Sequence, residues 1–328
     1  MIRFCTIGCG GHASTAHGPA QKKASAARGD IELAACCDID ETRACGYRET
    51  FGFSRHYTDI GTMLSRESPD AVALVVPTTL TSRLAAPLLE CGIPLFLEKP
   101  PGLTVAELDQ LVIAGRRGGG AHQVAFNRRY APVIAGVRGI LDTTLPAEDV
   151  LQINYEMIRY DRRDPDFSTT AIHAIDAVRH LARSPYRRCS LSYRELPQLG
   201  TGVAAITIEG HCESGTQVRL NFQPVAGQVT ETGTIHAVNH TLLFDVFGTE
   251  PGRRGSFTHW AHGAAKSATT LDGDPIDANG IYREFVAFLD AVKHHRIPSP
   301  VLADCRQQVT LMEAIRSRAS TLTFPPSP

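Results

Sequence analysis

The chain opens with the stretch Ile2-Arg3-Phe4-Cys5-Thr6-Ile7-Gly8-Cys9-Gly10-Gly11-His12-Ala13, in which a short apolar run breaks into a glycine turn. Gly8, Gly10 and Ala13 have the spacing G-x-G-x-x-A, which is typical of a strand–turn–helix unit that binds a dinucleotide. The first glycine allows the tight turn, the second lets the backbone approach a pyrophosphate, and the helix start offers N–H groups to the phosphates. The sequence therefore predicts a cofactor site at this turn. A tight turn without a ligand is the alternative.

An acidic residue follows the next apolar run at the distance that a dinucleotide fold requires. The run Ile31–Cys37 ends on Asp38, which follows Ala13 by 25 residues. In this position an acid binds the adenosine ribose hydroxyls, and its charge repels a 2′-phosphate. Asp38 therefore favours NAD, with NADP as the alternative. A helix-capping role for Asp38 stays open, although Asp40 could supply the cap.

Length, composition and charge describe an ordinary globular chain. The 328 residues suggest about two domains. The net charge of −1, without a basic run, argues against nucleic acid as a partner, and the apolar runs are too short to span a membrane. The nine cysteines lack zinc-site spacing, so we expect no metal, reduced thiols and a cytoplasmic location.

Strand and helix patterns alternate through the first part of the chain and then change. Residues 1–126 predict a doubly wound parallel sheet of α/β type, that is, a dinucleotide-binding domain. Residues 127–328 predict a substrate-binding α+β domain with a large, open, mostly antiparallel sheet. The closing helix near residues 303–322 is a candidate to pack back on the first domain. Residues 263–280 have the composition of a long loop.

Lys99 is the first catalytic candidate. The segment Glu98-Lys99-Pro100 follows the fifth predicted strand, at the sheet edge where open α/β sheets bind ligands. A lysine held among apolar walls has its ammonium form disfavoured, which lowers its pKa towards use as an acid or base. A solvated loop lysine is the alternative.

A predicted helix over residues 169–183 carries the second candidate group. At about 100° per residue, Thr169, His173, Asp176 and His180 fall on one stripe without the Lys, Glu or Gln of a solvated face. Such a stripe suits the floor of a cleft, which makes His173 and Asp176, at i and i+3, candidates for catalysis. Hydrogen bonding of the stripe to neighbouring loops is the alternative.

These pieces, in this order, resemble the Gfo/Idh/MocA family of oxidoreductases, named for glucose–fructose oxidoreductase and inositol dehydrogenase. The matching segments are Gly8–Ala13 with His17, Asp38, Pro77-Thr78, Glu98-Lys99-Pro100, Phe126-Asn127-Arg128-Arg129-Tyr130-Ala131-Pro132, His173-Ala174-Ile175-Asp176, and Tyr282 with Phe285. The resemblance implies a Rossmann domain followed by an open-sheet domain, assembled as a homodimer or homotetramer through the sheets. It also implies hydride transfer between NAD(P) and a sugar, cyclitol or related small molecule, with Lys99 and His173 as catalytic residues.

The complete set of predicted site residues combines the residue patterns with the resemblance. The predicted cofactor-binding residues are Gly8, Gly10, Gly11, His12, Ala13, Asp38, Pro77, Thr78, Glu98, Lys99 and Arg128. The predicted substrate-binding residues are Lys99, Tyr155, Arg159, Arg163, Thr169, His173 and His236.

Two positions depart from the family pattern. Many sugar and inositol dehydrogenases of the family have an Asp four residues before the catalytic His, where this chain has Thr169. Thr cannot carry the negative charge that would raise the basicity of His173. The loop after Pro77 also lacks the family's Asn and His. A non-catalytic dinucleotide-binding sensor is therefore the alternative function, and NAD-dependent glycoside cleavage, which normally needs a metal, is a third.

Overall fold

The computed structural model describes residues 1–246, 255–271 and 273–326. The chain forms two compact units, each built from two separate segments. The first unit comprises Met1–Phe126 and Ile281–Val309, and the second comprises Asn127–Gly280 and Thr310–Pro328.

The first unit contains a six-stranded parallel sheet with the order β3-β2-β1-β4-β5-β6. This order is that of the doubly wound dinucleotide-binding fold, so the predicted α/β class is confirmed. Its N-terminal elements are β1 (Ile2–Ile7), α1 (Gly18–Ala27), β2 (Ile31–Cys37), α2 (Glu41–Phe51), β3 (Arg55–Tyr57), α3 (Ile60–Glu67), β4 (Ala71–Leu74), α4 (Thr78–Glu90), β5 (Leu95–Glu98), α5 (Val105–Gly118) and β6 (His122–Ala125).

The second unit contains a nine-stranded mixed sheet with the order β14-β13-β12-β11-β7-β10-β9-β8-β15. Among the described strands, β7 and β10 run parallel and the other neighbouring pairs run antiparallel, which confirms a mostly antiparallel sheet. The elements are α6 (Pro132–Thr144), β7 (Val150–Tyr160), α7 (Ser168–Ala182), β8 (Tyr186–Glu195), β9 (Ala204–Cys212), β10 (Gln217–Ala226), β11 (Thr230–Ala237), β12 (His240–Asp245), β13 (Gly255–Ala261), β14 (Ala264–Leu271), α8 (Pro275–Ala278), α9 (Ile281–Lys293), α10 (Arg306–Arg316) and β15 (Thr321–Thr323).

Helix α9 packs in the first unit, whereas the sequence analysis assigned it to the second domain. Phe285 packs edge-on against Phe4 with ring centroids 5.0 Å apart, and Phe288 lies 5.4 Å from Phe96. Phe4 and Phe96 belong to the buried core of the parallel sheet. The helix covers one face of that sheet because its apolar stripe supplies the aromatic partners that these strand residues need.

The stretch predicted as a loop over residues 263–280 contains a strand. Strand β14 pairs with β13 and is mostly exposed at the edge of the sheet. Its sequence, AAKSATTL, shows little alternation of large apolar and polar residues. An exposed edge strand is stabilised by backbone pairing rather than by side-chain burial, so it does not need that alternation. Residue 272, within the predicted loop, lies outside the described residues.

The core of the second unit lies where α6 and α7 pack against the sheet. Helix α7 is buried over most of its circumference, including Ile172, Ile175, Val178 and Leu181 on the predicted apolar side. This burial fixes the direction of every polar side chain on the helix. In the described part of the chain, no helix combines the length and apolarity that a bilayer crossing needs.

Candidate dinucleotide-binding and active site

The glycine turn lies at the carboxyl end of β1 and presses against β4. Gly8 has a φ of +94°, and a Cβ at this position would lie 2.0 Å from the carbonyl oxygen of Val75. Only glycine fits such a position, because both the left-handed backbone and the close approach exclude a side chain. A Cβ on Gly10 or Gly11 would instead meet no atom within 4 Å. The backbone of these two glycines is therefore accessible to a ligand.

One cavity of about 550 Å³ lies in the first unit at the carboxyl edge of the sheet. This volume is within the range of small-molecule and cofactor sites. The predicted cofactor residues that line it are Gly8, Gly10, Gly11, His12, Ala13, Asp38, Pro77, Thr78, Glu98 and Lys99. The structure thus brings together, within one unit, every predicted cofactor residue except Arg128.

Asp40, not Asp38, caps α2, and Asp38 faces the cavity. Asp40 caps α2 by accepting the backbone N–H of Arg43 at 3.1 Å. Asp38 lines the cavity, and its carboxylate accepts the N–H of Cys9 at 2.9 Å and the guanidinium of Arg43 at 2.8 Å. Burial alone would raise the pKa of Asp38, but these hydrogen bonds outweigh it and lower the pKa. The carboxylate is therefore ionised and held by the glycine turn.

Arg43 is a cavity residue that the sequence analysis missed. It pairs with Asp38, and its side chain is about half exposed at 48%. An arginine beside the ribose-binding acid is the group that accommodates a 2′-phosphate in NADP-binding relatives of this fold. Its position five residues after Asp38, in the first turn of α2, was the available signal.

Glu98 holds two imidazoles at the other side of the turn. Its Oε1 lies 2.6 Å from Nε2 of His17 and 3.1 Å from Nε2 of His12, and its Oε2 accepts the backbone N–H of Lys99 at 3.0 Å. Burial would raise the pKa of Glu98, but the two histidines keep it well below the usual value. Glu98 thus connects the glycine turn to the end of β5, where Lys99 lines the cavity.

The residues of the predicted polar stripe on α7 differ in their burial and in their contacts. The Thr169 hydroxyl lies 3.5 Å from the carbonyl oxygen of Asp166, and His173 is half-buried. Asp176 is fully buried, and its carboxylate accepts two hydrogen bonds from Arg129 at 2.6 and 2.8 Å. Burial leaves Asp176 no surface for direct contact with a substrate, and its catalytic role stays a prediction. His173 is left as the stripe's candidate for chemistry.

Three predicted ligand-binding residues share one buried partner, Glu231. Its carboxylate accepts hydrogen bonds from Arg128 at 2.7 and 3.0 Å, from Arg159 at 2.6 Å and from the Tyr155 hydroxyl at 2.6 Å. Burial would raise the pKa of Glu231, but the two arginines outweigh it and lower the pKa. Tyr155 is itself only 1% exposed. These contacts join the three residues to Glu231 in one buried ion-pair cluster, and their substrate and cofactor roles stay predictions.

The two other predicted substrate residues lie on separate elements of the second unit. Arg163 pairs with Asp161 at 2.6 Å in the segment between β7 and α7. His236 is exposed on β11, where its ring nitrogen lies 3.3 Å from the Thr241 hydroxyl. Neither residue lies on the helix that carries His173, and their substrate roles stay predictions.

Comparison with known proteins agrees with this geometry. Residues 2–126 match the profile of GFO_IDH_MocA, an oxidoreductase family with an NAD-binding Rossmann fold. D-apiose dehydrogenase from Paraburkholderia graminis is 32% identical over 106 residues, or 32% of this chain and 28% of that protein. Inositol 2-dehydrogenase from Corynebacterium glutamicum is 24% identical over 183 residues, or 51% of each protein. The first curated relatives are matched over about a third of their length, at 28%, 30% and 36%.

Solved structures extend the similarity of fold over nearly the whole chain. A Gfo/Idh/MocA family oxidoreductase from Vibrio cholerae has a TM-score of 0.81 at 22% identity, covering 97% of this chain and 98% of that one. Levoglucosan dehydrogenase, solved in complex with NADH, has a TM-score of 0.83 at 17% identity, covering 99% and 100%. At these identities the likeness establishes the shared fold.

Proposed function

We propose that this chain, whose residues 2–126 match the NAD-binding Rossmann domain of the Gfo/Idh/MocA oxidoreductase family, is an NAD(P)-dependent dehydrogenase or reductase. In this proposal it transfers a hydride between the nicotinamide and a hydroxyl or keto carbon of a sugar, a cyclitol or a related small molecule. The observation that carries the proposal is the single cavity of about 550 Å³ that Lys99 shares with the glycine turn and Asp38.

The residues of this cavity fit a dinucleotide. The open space above Gly10 and Gly11 would accept the pyrophosphate, and the first N–H groups of the following helix would donate hydrogen bonds to it. Asp38 would accept the ribose hydroxyls, because its ionised carboxylate offers acceptor oxygens. When bound, NAD supplies the hydride acceptor or donor, and the protein's part is to bind and orient.

Lys99 is proposed to bind the reacting hydroxyl or keto oxygen and to move its proton. Its ammonium group can donate a hydrogen bond to a keto oxygen, and its neutral form can accept the hydroxyl proton. The backbone N–H of Lys99 is bonded to Glu98, which fixes the lysine's main chain at the end of β5. A fixed main chain limits the positions that the ammonium group can reach.

His173 is proposed as the second catalytic residue on the substrate. It is half-buried on α7, and Thr169, one turn earlier, cannot supply a carboxylate to raise its basicity. We therefore assign Lys99 the larger share of proton transfer and His173 the larger share of substrate orientation.

The decisive experiment compares Lys99→Ala with wild type while NADH fluorescence is followed in the presence of sugars, cyclitols and their keto forms. We expect kcat to fall about 100-fold or more, because a positioned acid–base group contributes that much. The dissociation constant for NAD should change less than about threefold. Lys22→Ala is the matched control, since Lys22 is an exposed lysine of the same unit that bonds the Thr50 carbonyl.

Activity of Lys99→Ala near that of wild type would remove the lysine from the mechanism. NAD binding without turnover on any compound would favour the sensor function instead. His173→Ala, measured on the same panel, should raise KM more than Lys99→Ala does if orientation is its main role.

The predicted assembly as a homodimer or homotetramer through the nine-stranded sheet also belongs to this proposal. Leu243 on β12 and Trp260 on β13 are large apolar side chains that are 45% and 46% exposed on this sheet. Trp260→Glu should lower the molar mass measured by light scattering, because a buried unpaired charge weakens an interface. An unchanged mass would exclude this part of the sheet from the interface.

A further inference from the structure

We propose that His12, His17 and Glu98 form a binding site for a divalent transition-metal ion such as Zn²⁺ or Co²⁺. One ligand atom of each residue, an imidazole nitrogen or a carboxylate oxygen, lies within 4.8 Å of the other two. Two imidazole nitrogens and one carboxylate oxygen form a ligand set of known zinc sites with an open fourth position. The inference is independent of the proposed hydride transfer.

The backbone brings the two histidines to one side of their helix through a π-helical turn, Ala13–His17. His12 and His17 are five residues apart, which in an α-helix would separate them by about 140° around the axis. A π turn has i→i+5 hydrogen bonds, so residues with this spacing lie nearly above one another. Both rings therefore reach Glu98. Such turns inside helices are frequent at functional sites.

The distance between the two rings fits a single tetrahedral ion. The centroids of His12 and His17 are 5.2 Å apart and the ring planes are inclined by 84°. Two imidazoles bound at about 2.1 Å to one tetrahedral ion place their centroids about 5 Å apart. The Nε2–Oε1 distances of 2.6 and 3.1 Å are shorter than the roughly 3.3 Å between ligands of such an ion.

The surroundings hold two ligands and leave the third accessible. Glu98 is oriented by the N–H of Lys99 at its other oxygen, and the buried His17 packs edge-on against Phe96 with centroids 5.8 Å apart. The His12 side chain is 58% exposed at the cavity, which provides an entry path for the ion. Oriented ligands of this kind raise metal affinity, and the mixed N/O set suits Zn²⁺ and Co²⁺ better than Mg²⁺ or Ca²⁺.

Binding requires that Nε2 of each imidazole carry no proton. Each neutral histidine must carry its proton on Nδ1 so that Nε2 can donate its lone pair to the metal. The carboxylate of Glu98 is the negative ligand. The ion would replace the two Nε2–Glu98 hydrogen bonds by three metal–ligand bonds and would join the glycine turn to the end of β5.

The test uses the full-length protein, free of any affinity tag and dialysed against EDTA, with Co²⁺ alone as the probe. Titration should produce visible d–d absorption that saturates at one ion per chain and is displaced by Zn²⁺. His12→Ala should weaken Co²⁺ binding at least about tenfold, and this exposed position tolerates truncation. His294→Ala is the matched control, because His294 is an exposed histidine of the same unit.

A second readout is the melting temperature. Zn²⁺ should raise it in wild type and in His294→Ala but not in His12→Ala, because the ion binds the folded chain. No saturable absorption, or an equal loss of affinity in both variants, would overturn the site and indicate adventitious binding by surface histidines. Neither measurement uses NAD or substrate, so failure here leaves the proposed oxidoreductase function untouched.

Discussion

The polar residues of the two units differ in their contacts. In the first unit, predicted site residues from the glycine turn, Asp38 and the end of β5 line one cavity. In the second unit, four of the eight predicted site residues bond within the unit to one of two charged side chains: Arg128, Tyr155 and Arg159 to Glu231, and Asp176 to Arg129. A parallel sheet collects strand ends at one edge, whereas an open antiparallel sheet has no such edge.

This difference shows in which part of the fold the type and position of a residue are enough to predict a site. At the edge of the parallel sheet, position alone predicts that a polar side chain faces a ligand. On the mixed sheet, a charged residue has a role only once its partner is known, because a buried charge requires a partner. Four predictions test this contrast between the units.

Glu231→Ala should lower the free energy of unfolding by about 3–5 kcal/mol, because it leaves two largely buried arginines without their carboxylate. Denaturant unfolding of the full chain measures the loss. Glu156→Ala, at an exposed position on β7, is the control and should cost less than about 1 kcal/mol. A Glu231→Ala protein as stable as this control would break the contrast between the units.

Gly8→Ala should lower the free energy of unfolding by about 3 kcal/mol. The new Cβ would lie 2.0 Å from the Val75 carbonyl oxygen, and the backbone at this position is left-handed. Gly10→Ala is the matched change, since its Cβ meets no protein atom within 4 Å. It should keep its melting temperature within a few degrees and lose NAD affinity at least about tenfold, as measured by calorimetry. Equal stability of both variants would contradict the assigned roles of the two glycines.

The free energy of unfolding should fall in acid, because His180 has a lower pKa in the folded chain than in the unfolded chain. Burial, followed by the charges of Arg129 and Arg138, lowers the pKa of this histidine from 6.5 to about 4 in the folded chain. His180 therefore binds its proton more tightly in the unfolded chain. As pH falls from 6.5 to about 4, the stability of the folded chain decreases. The total loss is about 3 kcal/mol.

His180→Gln removes the titrating group and should reduce this acid loss, as measured by melting curves at pH 7 and at about pH 4.5. Equal acid sensitivity of the variant and wild type would assign the loss to other groups. A smaller acid loss in the variant would show that His180 stabilises the second unit in its neutral form.

Asp38→Asn should shift the preference between NADH and NADPH about tenfold towards NADPH, because it removes the repulsive charge and releases Arg43 for a 2′-phosphate. Fluorescence titration gives the two dissociation constants. Asp40→Asn is the control, because Asp40 caps α2 and lines no part of the cavity. An unchanged ratio in Asp38→Asn would remove Asp38 from the ribose site.

Local patterns were sufficient to predict the parallel sheet of the first unit. The alternation of strands and helices, the glycine turn and the acid after β2 all act within about 40 residues, and the structure places them on one sheet edge. The helix α9 was assigned wrongly because its partners, Phe4 and Phe96, lie far away in the sequence. Periodicity indicates that a helix has an apolar face but not which sheet it covers.

The second unit and the histidine cluster depend on contacts that no local pattern reports. Glu231 collects Arg128 from 103 residues away and Tyr155 from 76 residues away. The sequence predicts no metal because its cysteines and histidines lack regular ligand spacing. His12 and His17 approach each other only through a π turn, and Glu98 follows 81 residues after His17. A regular helical period places those two histidines on different faces.

The division of each unit into two segments has a consequence for synthesis on the ribosome. The sheet of the first unit is complete in sequence at Phe126, yet Phe285 and Phe288, which cover Phe4 and Phe96, are made about 160 residues later. At about 5–20 residues per second, the nascent sheet waits roughly 10–30 s with an aromatic face uncovered. We expect chaperones to occupy that face during translation, and a chain released early to aggregate.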